Sequence, residues 1–218
     1  DGSRDGPWKE YYMDGSLRAE GVYDKGKRIG EWKFYHPDGK IEQTGRFTKT
    51  GKPHGHSKWY YANGQLLREE SYYNGMKDGL SEEFDENGIL MERGEYLEGK
   101  EDGPWITSTG DFCYKGTYRD GLRTGLWEGF YLTQSEGKTD STLSFSGQFI
   151  EDLPDGKHTW HWPNGNIREE GNYVMGNKEG NWNLYNEDGT LFLVSTYVSG
   201  VETRYDGVKI KPPFEKNE

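Results

Sequence analysis

The stretch GEWKFYHPDGKIEQTGRF, residues 30–47, decides the fold because variants of it recur through most of the chain. Each copy begins with glycine, and most copies place tryptophan two positions later and then pass through an Asp-Gly or Asn-Gly pair. A fixed period in this range indicates a repeat protein whose units are too small to fold alone. The first glycines, spaced about 24 residues apart, are Gly6, Gly30, Gly55, Gly79, Gly103, Gly125, Gly156 and Gly180.

The Asp-Gly and Asn-Gly pairs predict one β-hairpin per repeat. They lie between strand-forming runs, and Asn, Asp and Gly best tolerate the positive φ that both residues of a two-residue hairpin turn require. Such a tip in the first repeat would pair Tyr12 with Leu17. The expected two-residue tips are Asp14-Gly15, Asp38-Gly39, Asn63-Gly64, Asn87-Gly88, Asn164-Gly165 and Asp188-Gly189.

An aromatic ladder is expected on one face of these hairpins. The tips would set Trp8 opposite Gly21 and Trp32 opposite Gly45, so that each ring covers the glycine of its partner strand. Charged residues and a second set of aromatic side chains would occupy the opposite face. The rings assigned to the ladder are Trp8, Trp32, Trp105, Trp127 and Trp182.

Two repeats differ in length at one place. The repeat from Gly103 is two residues shorter at its turn, and the repeat from Gly125 carries seven extra residues within about 133–141. Insertions are tolerated best at loop tips, so both changes indicate a hairpin tip. We assign residues 1–206 to the repeat array and residues 207–218 to a C-terminal tail or cap.

The motif Gly-x-Trp-x-x-Tyr, clearest at residues 30–35, resembles the MORN repeat and in particular the bacterial variant found in YwqK-like antitoxin proteins. Asp38-Gly39 follows it, and the Tyr-x-x-Gly segment from Tyr72 to Gly75 completes the pattern. The resemblance implies an all-β fold: an elongated array of about eight antiparallel β-hairpins in a single-layer, twisted sheet. Trp- and Tyr-rich cell-wall-binding repeats are similar, but their units are nearer 20 residues.

The same resemblance implies a non-catalytic protein-interaction module. The chain would be an antitoxin or immunity-like binder that covers a basic toxin, or a scaffold or accessory subunit of a bacterial envelope assembly. An exported location, periplasmic or at the cell surface, is expected from the resemblance and from Asp1 standing where methionine would begin a chain. A cytoplasmic location is the alternative.

Charge and composition restrict the partner. The net charge of −11 disfavours nucleic acid and anionic membrane surfaces, whose phosphates would be repelled, and it favours a basic protein. No apolar stretch approaches the 18 residues of a membrane-spanning helix. Only 31% of residues are hydrophobic, but 15% are aromatic, which suits a thin array stabilised by rings better than a globular enzyme with a deep pocket.

No catalytic, cofactor or metal site is predicted. His54 and His56 lack an obvious third ligand, and the adjacent Glu69 and Glu70 are expected on a solvated face. Cys113 is the single cysteine, and a half-buried structural role is expected for it. The sequence also lacks a nucleophile elbow, a phosphate loop and a zinc signature.

Four further aromatic residues are the candidate partner-binding residues, because large rings dominate binding surfaces. They occur in the two repeats that carry Ser57 and His158 in place of the ladder tryptophan, so filling the space left there is the favoured explanation. Stacking on a neutral glycan or cell-wall polymer is the alternative to protein binding. These candidates are Trp59, Tyr61, Trp160 and Trp162.

Overall fold

The computed structural model describes residues 2–135 and 138–209, which form β-strands and turns without any helix. The chain divides into two compact units, Asp1–Trp105 and Ile106–Glu218. The strands are β1 (Gly6–Tyr11), β2 (Leu17–Asp24), β3 (Lys27–Tyr35), β4 (Ile41–Phe47), β5 (Gly55–Tyr60), β6 (Leu66–Tyr73), β7 (Met76–Phe84), β8 (Leu90–Leu97), β9 (Lys100–Glu101), β10 (Gly103–Ser108), β11 (Phe112–Arg119), β12 (Leu122–Ser135), β13 (Lys138–Ile150), β14 (Leu153–His161), β15 (Ile167–Val174), β16 (Asn177–Tyr185), β17 (Leu191–Val198), β18 (Val201–Tyr205) and β19 (Val208–Lys209).

Within each unit, neighbouring strands in the sequence pair antiparallel with one another. In the first unit this runs from β1 to β9, and in the second unit from β11 to β19. Aromatic and charged residues alternate along the strands, and successive side chains of a strand point to opposite faces of the sheet. The pairing therefore follows from this alternation, which puts the aromatic residues of neighbouring strands on the same face. The predicted all-β array of antiparallel hairpins is confirmed.

The hairpin tips are three-residue loops and not the two-residue turns predicted from the Asp-Gly pairs. In the first repeat the Tyr12 amide donates to the Ser16 carbonyl oxygen (2.8 Å), and the Gly15 amide donates to the Tyr12 carbonyl oxygen (3.0 Å). Gly15 has a φ of 86°, whereas Asp14 is not among the residues with positive φ. A type I turn closed by a left-handed glycine has these features. Asp14 stabilises the loop differently, because its carboxylate accepts a hydrogen bond from the Ser16 amide (2.9 Å).

The longer loop changes the register beside the tip only. Leu17 pairs with Tyr11, and not with Tyr12 as predicted, because the register shifts by one residue next to the loop. Further from the tip the predicted register is confirmed, with Trp8 opposite Gly21.

True two-residue turns occur in the second connection of the repeat, where the sequence suggested a polar linker. Lys25 and Gly26 have φ values of 47° and 80°, and their flanking residues pair with each other. Both residues therefore adopt the left-handed conformation of a type I′ turn. In the second repeat this connection is longer, since the Thr48 amide donates to the Lys52 carbonyl oxygen (2.8 Å) around a three-residue loop. The extra residue accounts for the one-residue increase in spacing between Gly30 and the next repeat.

The two irregular repeats change length at their tips. In the short repeat the Thr109 amide donates to the Phe112 carbonyl oxygen (2.8 Å), which leaves only two residues in the loop. In the long repeat the insertion extends both strands, and pairing continues until Ser135 lies opposite Lys138. The two residues at that tip, and residues 210–218 of the predicted tail, lie outside the described residues.

The aromatic ladder is built between repeats, which differs from the prediction. The ring of Trp32 covers Gly21 of the preceding repeat, where an added Cβ would lie 2.3 Å from the ring, and it does not cover its partner Gly45. Its Nε1 donates to the Val22 carbonyl oxygen (3.1 Å), and the side chain is fully buried. The bulge in the β2–β3 pairing beside Gly21 turns the ring towards the preceding strand. The same arrangement joins Trp105 to Gly94, Trp127 to Gly116, Trp182 to Gly171 and His158 to Gly147.

Candidate interaction surface

Two of the four candidate binding residues join neighbouring repeats at the hairpin tips. The Tyr61 hydroxyl donates to the Phe84 carbonyl oxygen (2.9 Å), and Trp162 Nε1 donates to the Tyr185 carbonyl oxygen (3.1 Å). Other repeats form the same hydrogen bond from the residue six positions after the first glycine. The sequence analysis missed this contact, although a Tyr or Trp side chain that can donate a hydrogen bond recurs at that position. The equivalent bonds run from Tyr12 to Tyr35 and from Tyr131 to His161.

Trp59, the third candidate, packs beneath a cation. The guanidinium of Arg68 lies 4.8 Å from the centre of its ring, and Trp59 is half-buried. Trp59 therefore belongs to a polar and aromatic cluster in the middle of the first unit, where the ladder tryptophans are absent.

The centre of that cluster is Glu70, which replaces the ladder glycine of its repeat. It lies between Ser57 and Ser81, the two residues at ladder-tryptophan positions on the flanking strands. The side chain is only 2% exposed, so the expectation that it lies on a solvated face is wrong. A carboxylate and two small hydroxyl residues thus fill the space that a glycine and two indole rings fill elsewhere.

Cations and a hydroxyl keep Glu70 ionised. Lys77 Nζ lies 2.8 Å from its carboxylate, Arg68 lies 3.5 Å away, and the Tyr72 hydroxyl donates to it. Burial opposes the charge most strongly, but the hydrogen bonds from Lys77 and Tyr72 outweigh it and lower the pKa of Glu70. Burial and the bond to Glu70 raise the pKa of Tyr72, so this hydroxyl stays protonated.

Trp160, the fourth candidate, lies among the ladder rings of the second unit. Its ring centre is 5.4 Å from that of Phe145, 5.9 Å from His158 and 5.8 Å from Trp182. His158 is buried in the tryptophan position, and burial lowers its pKa, so the neutral imidazole is favoured.

Beside Trp160 the ladder face is interrupted by a hollow, which we call the Gly129 hollow. Gly129 pairs with Tyr114 and Phe145, in the position where the repeats on either side carry Thr107 and Trp160. The hollow has a volume of about 460 Å³. Its lining residues are Thr107, Tyr114, Tyr118, Arg123, Trp127, Phe145, Phe149 and Trp160.

Comparison with known families agrees with this repeat geometry. The sequence matches the MORN repeat variant over residues 4–25, 28–49, 53–74, 77–98 and 154–175, which together make up half of the chain. The chain belongs to the MORN repeat variant family. No curated protein matches the sequence.

A basic residue covers the aromatic ladder of this MORN repeat variant protein in several repeats. Each stands two positions before the first glycine of its repeat, a regular spacing that is visible in the sequence. A cation over a ring is attracted by the negative face of the π system. The pairs are Arg4 with Trp8 (4.8 Å), Arg28 with Trp32 (4.8 Å), Lys77 with Tyr96 (4.6 Å), Arg123 with Phe149 (4.2 Å) and Lys178 with Trp182 (3.7 Å).

Other chemistry is sparse in the part of the chain that the structure describes. It holds no group of three or more His, Cys, Asp or Glu residues placed to bind a metal ion, and His54 and His56 belong to no such group. It likewise contains no helix of the length and apolarity that crossing a membrane requires. Cys113 is half-buried, and burial raises the pKa of its thiol.

Proposed function

We propose that this MORN repeat variant protein is a non-catalytic protein-interaction module, and that its partner inserts an apolar side chain into the Gly129 hollow. MORN repeats are in general interaction modules, so family membership supports binding. The observation that carries the proposal is the hollow itself, because the packing of the repeats leaves it unfilled. Its volume of about 460 Å³ lies within the range of small-molecule and side-chain pockets.

The walls of the hollow suit an anchor residue. Phe145 and Trp160 supply half-buried rings, and the Tyr114 ring is 41% exposed at the mouth. Aromatic pockets at the centre of an interface contribute most to binding, since they are fully desolvated when filled. The net charge of −11 favours a basic partner through electrostatic steering. A toxin bound by an antitoxin-like protein and a subunit of an envelope assembly both fit these requirements.

Pull-down from the source organism with wild type and three variants tests the proposal. Trp160→Ala removes a wall of the hollow. Gly129→Val adds a side chain next to it, whose Cβ would lie 2.8 Å from the Tyr114 ring and 2.9 Å from the buried Ser144 hydroxyl, so that both side chains must move. Phe192→Ala is the matched control, because Phe192 is 61% exposed in the same unit outside the hollow. We expect one stoichiometric protein to be retained by wild type and the control and lost from the other two. Retention by all four proteins would contradict the proposal, provided circular dichroism shows that each variant is folded.

Glycan binding is the second candidate function, and a specific feature of the same hollow favours it. Arg123 lines the hollow together with Trp160 and is held by an ion pair of 2.8 Å with Asp152, so its guanidinium offers hydrogen-bond donors to the hydroxyls of a sugar that stacks on Trp160. A polysaccharide array measured at low and high salt separates the two functions. Stacking on a neutral sugar should be nearly unaffected by salt, whereas steered binding of a basic protein should weaken.

A further inference from the structure

The connections between repeats carry exposed apolar residues in the second unit. Each of these residues stands next to a turn, and their side chains are 39–54% exposed. Ile150 directly follows the ladder residue Phe149, and successive side chains of a strand point to opposite faces, so Ile150 lies on the face opposite the ladder. Val174 and Val198 follow ladder tyrosines in the same way. We call the whole set the apolar row: Leu122, Ile150, Leu153, Val174, Val198 and Val201.

The apolar row is continuous because each connection contacts the one before it. Ile150 pairs with Leu153, and Val198 with Val201, across the turns. A Cβ added at Gly176 in the next turn would lie 3.3 Å from the Leu153 side chain. Each turn also donates a backbone hydrogen bond to the strand that follows the previous turn: Asp152 to Arg123 (3.0 Å), Gly176 to Pro154 (2.8 Å) and Gly200 to Lys178 (2.9 Å).

The spacing of the apolar row matches that of one face of an α-helix. The row crosses the neighbouring strands β12 to β18, with Asn177 as the polar residue on β16. Strands about 4.8 Å apart give it a length of about 29 Å. An amphipathic helix places an apolar side chain about every 5 Å along one face. A helix of about 19 residues that lies across the strands would therefore present about one apolar side chain to each strand.

Carboxylates border the middle of the apolar row. Asp155 accepts a hydrogen bond from the Met175 amide (3.0 Å), and Glu179 accepts one from the Ser199 amide (2.7 Å). These bonds fix both carboxylates beside the turns. Glu151 stands in a turn itself, at positive φ. An occupant with lysine or arginine next to its apolar side chains is therefore electrostatically complementary to this surface.

The basic residues of the same connections do not cancel this charge. Arg123 and Lys178 lie over ladder rings on the opposite face. Arg119, which pairs with Leu122, and Arg204 on β18 stand at the two ends of the row. A second copy of the chain fits less well than a basic protein, because it would bring like carboxylates together on a chain of net charge −11.

We propose that the apolar row binds a basic amphipathic α-helix of another protein, which lies across the strands on the face opposite the Gly129 hollow. The apolar side chains of the helix pack on the row, and its lysine and arginine side chains meet the bordering carboxylates. A continuous exposed apolar surface with polar borders is typical of a binding site, and an amphipathic helix is a common ligand for such a surface.

A labelled peptide of about 19 residues, with leucine on one helical face and lysine elsewhere, is the probe, and its binding to the full chain is measured by fluorescence anisotropy. Val174→Lys places a cation in the middle of the row. Leu191→Lys is the matched control, because it adds the same charge at a similarly exposed apolar position outside the row. We expect Val174→Lys to weaken binding by about tenfold or more, and Leu191→Lys by less than about threefold. A peptide with glutamate in place of lysine should not bind.

Amide chemical shifts of the full chain, measured with and without the peptide, locate the binding surface. We expect the changes to cluster at the connections that carry the apolar row. Absence of saturable binding, equal weakening by the two variants, binding of the glutamate peptide, or shifts centred on the ladder face would each overturn the proposal. A dimer of the chain alone that Val174→Lys dissociates, seen by sedimentation, would identify a second copy as the occupant instead. Both substitutions lie outside the Gly129 hollow, so the proposed function is tested separately.

Discussion

Adding one methyl group at Gly21 should destabilise the protein far more than the same change at Gly45. Both glycines hold the same position in successive repeats, and neither has positive φ. A Cβ at Gly21 would lie 2.3 Å from the Trp32 ring, whereas a Cβ at Gly45 would lie 3.1 Å from the Ser57 hydroxyl, which can rotate away. The ring has no such freedom because it is fully buried.

The expected loss in the free energy of unfolding follows from the interactions that the displaced Trp32 ring would lose. Displacing Trp32 breaks its hydrogen bond to Val22 (3.1 Å), a loss of about 1 kcal/mol. The overpacked ring adds about 1–3 kcal/mol. We therefore expect Gly21→Ala to lower the free energy of unfolding by about 2–4 kcal/mol. Gly45→Ala should change it by less than about 0.5 kcal/mol, as a substitution that meets no rigid neighbour.

Urea unfolding followed by far-UV circular dichroism measures both changes, and a double-mutant cycle tests their cause. Trp32→Ala alone should lower the free energy of unfolding by about 3–5 kcal/mol. In that background Gly21→Ala should have almost no effect, because the atoms that the methyl group meets are gone. Equal losses for the two glycines, or a full loss in the double variant, would refute the inter-repeat ladder.

Three further predictions concern other positions. Burial lowers the pKa of His158 below the value of about 6.5 that is usual for histidine, so the unfolded chain binds the proton first, and stability should fall as pH drops below about 6.5. In His158→Phe the fall between pH 6.5 and 5, measured by urea unfolding, should be shallower, and identical slopes would contradict this. Glu70→Gln should lower the free energy of unfolding by about 1–3 kcal/mol, because the partly exposed Lys77 and Arg68 lose their counter-charge; no change in thermal midpoint would argue against it. Trp162→Phe should cost about 1 kcal/mol in urea through the lost bond to Tyr185, and Trp8→Phe, whose nitrogen has no partner, is the control that should cost less.

The sequence predicted the array and the register far from the tips, because both follow from the spacing of rings and glycines. It misassigned the turns. An Asp-Gly pair fits a two-residue type I′ turn and the end of a three-residue loop equally well, and only the flanking hydrogen bonds of Tyr12 and Ser16 separate them. A residue such as Lys25 at positive φ has no compositional signal.

The candidate site was less predictable for a related reason. The residues that lie opposite each other within a hairpin can be derived from their distances along the sequence to the hairpin tip. The contact of Trp32 with Gly21 of the previous repeat, however, depends on a bulge between the two strands. The burial of Glu70 depends on serines at two flanking strands, Ser57 and Ser81, which are distant in sequence. The Gly129 hollow likewise requires knowing that Thr107 and Trp160 lie on neighbouring repeats. Each of these features is a contact between repeats, and such contacts cannot be predicted from the pairing of residues within one hairpin.

The direction of the aromatic ladder also bears on the order in which the chain is made. A ribosome releases Gly21 before Trp32, so the first hairpin emerges with its glycine strand uncovered, and it is completed only when the next repeat has followed. The nascent chain therefore always ends in one unfinished repeat. The strand that carries Ser195 differs, because serine stands in place of the glycine and β18 pairs with that strand, so its completion does not depend on a ring from a later repeat.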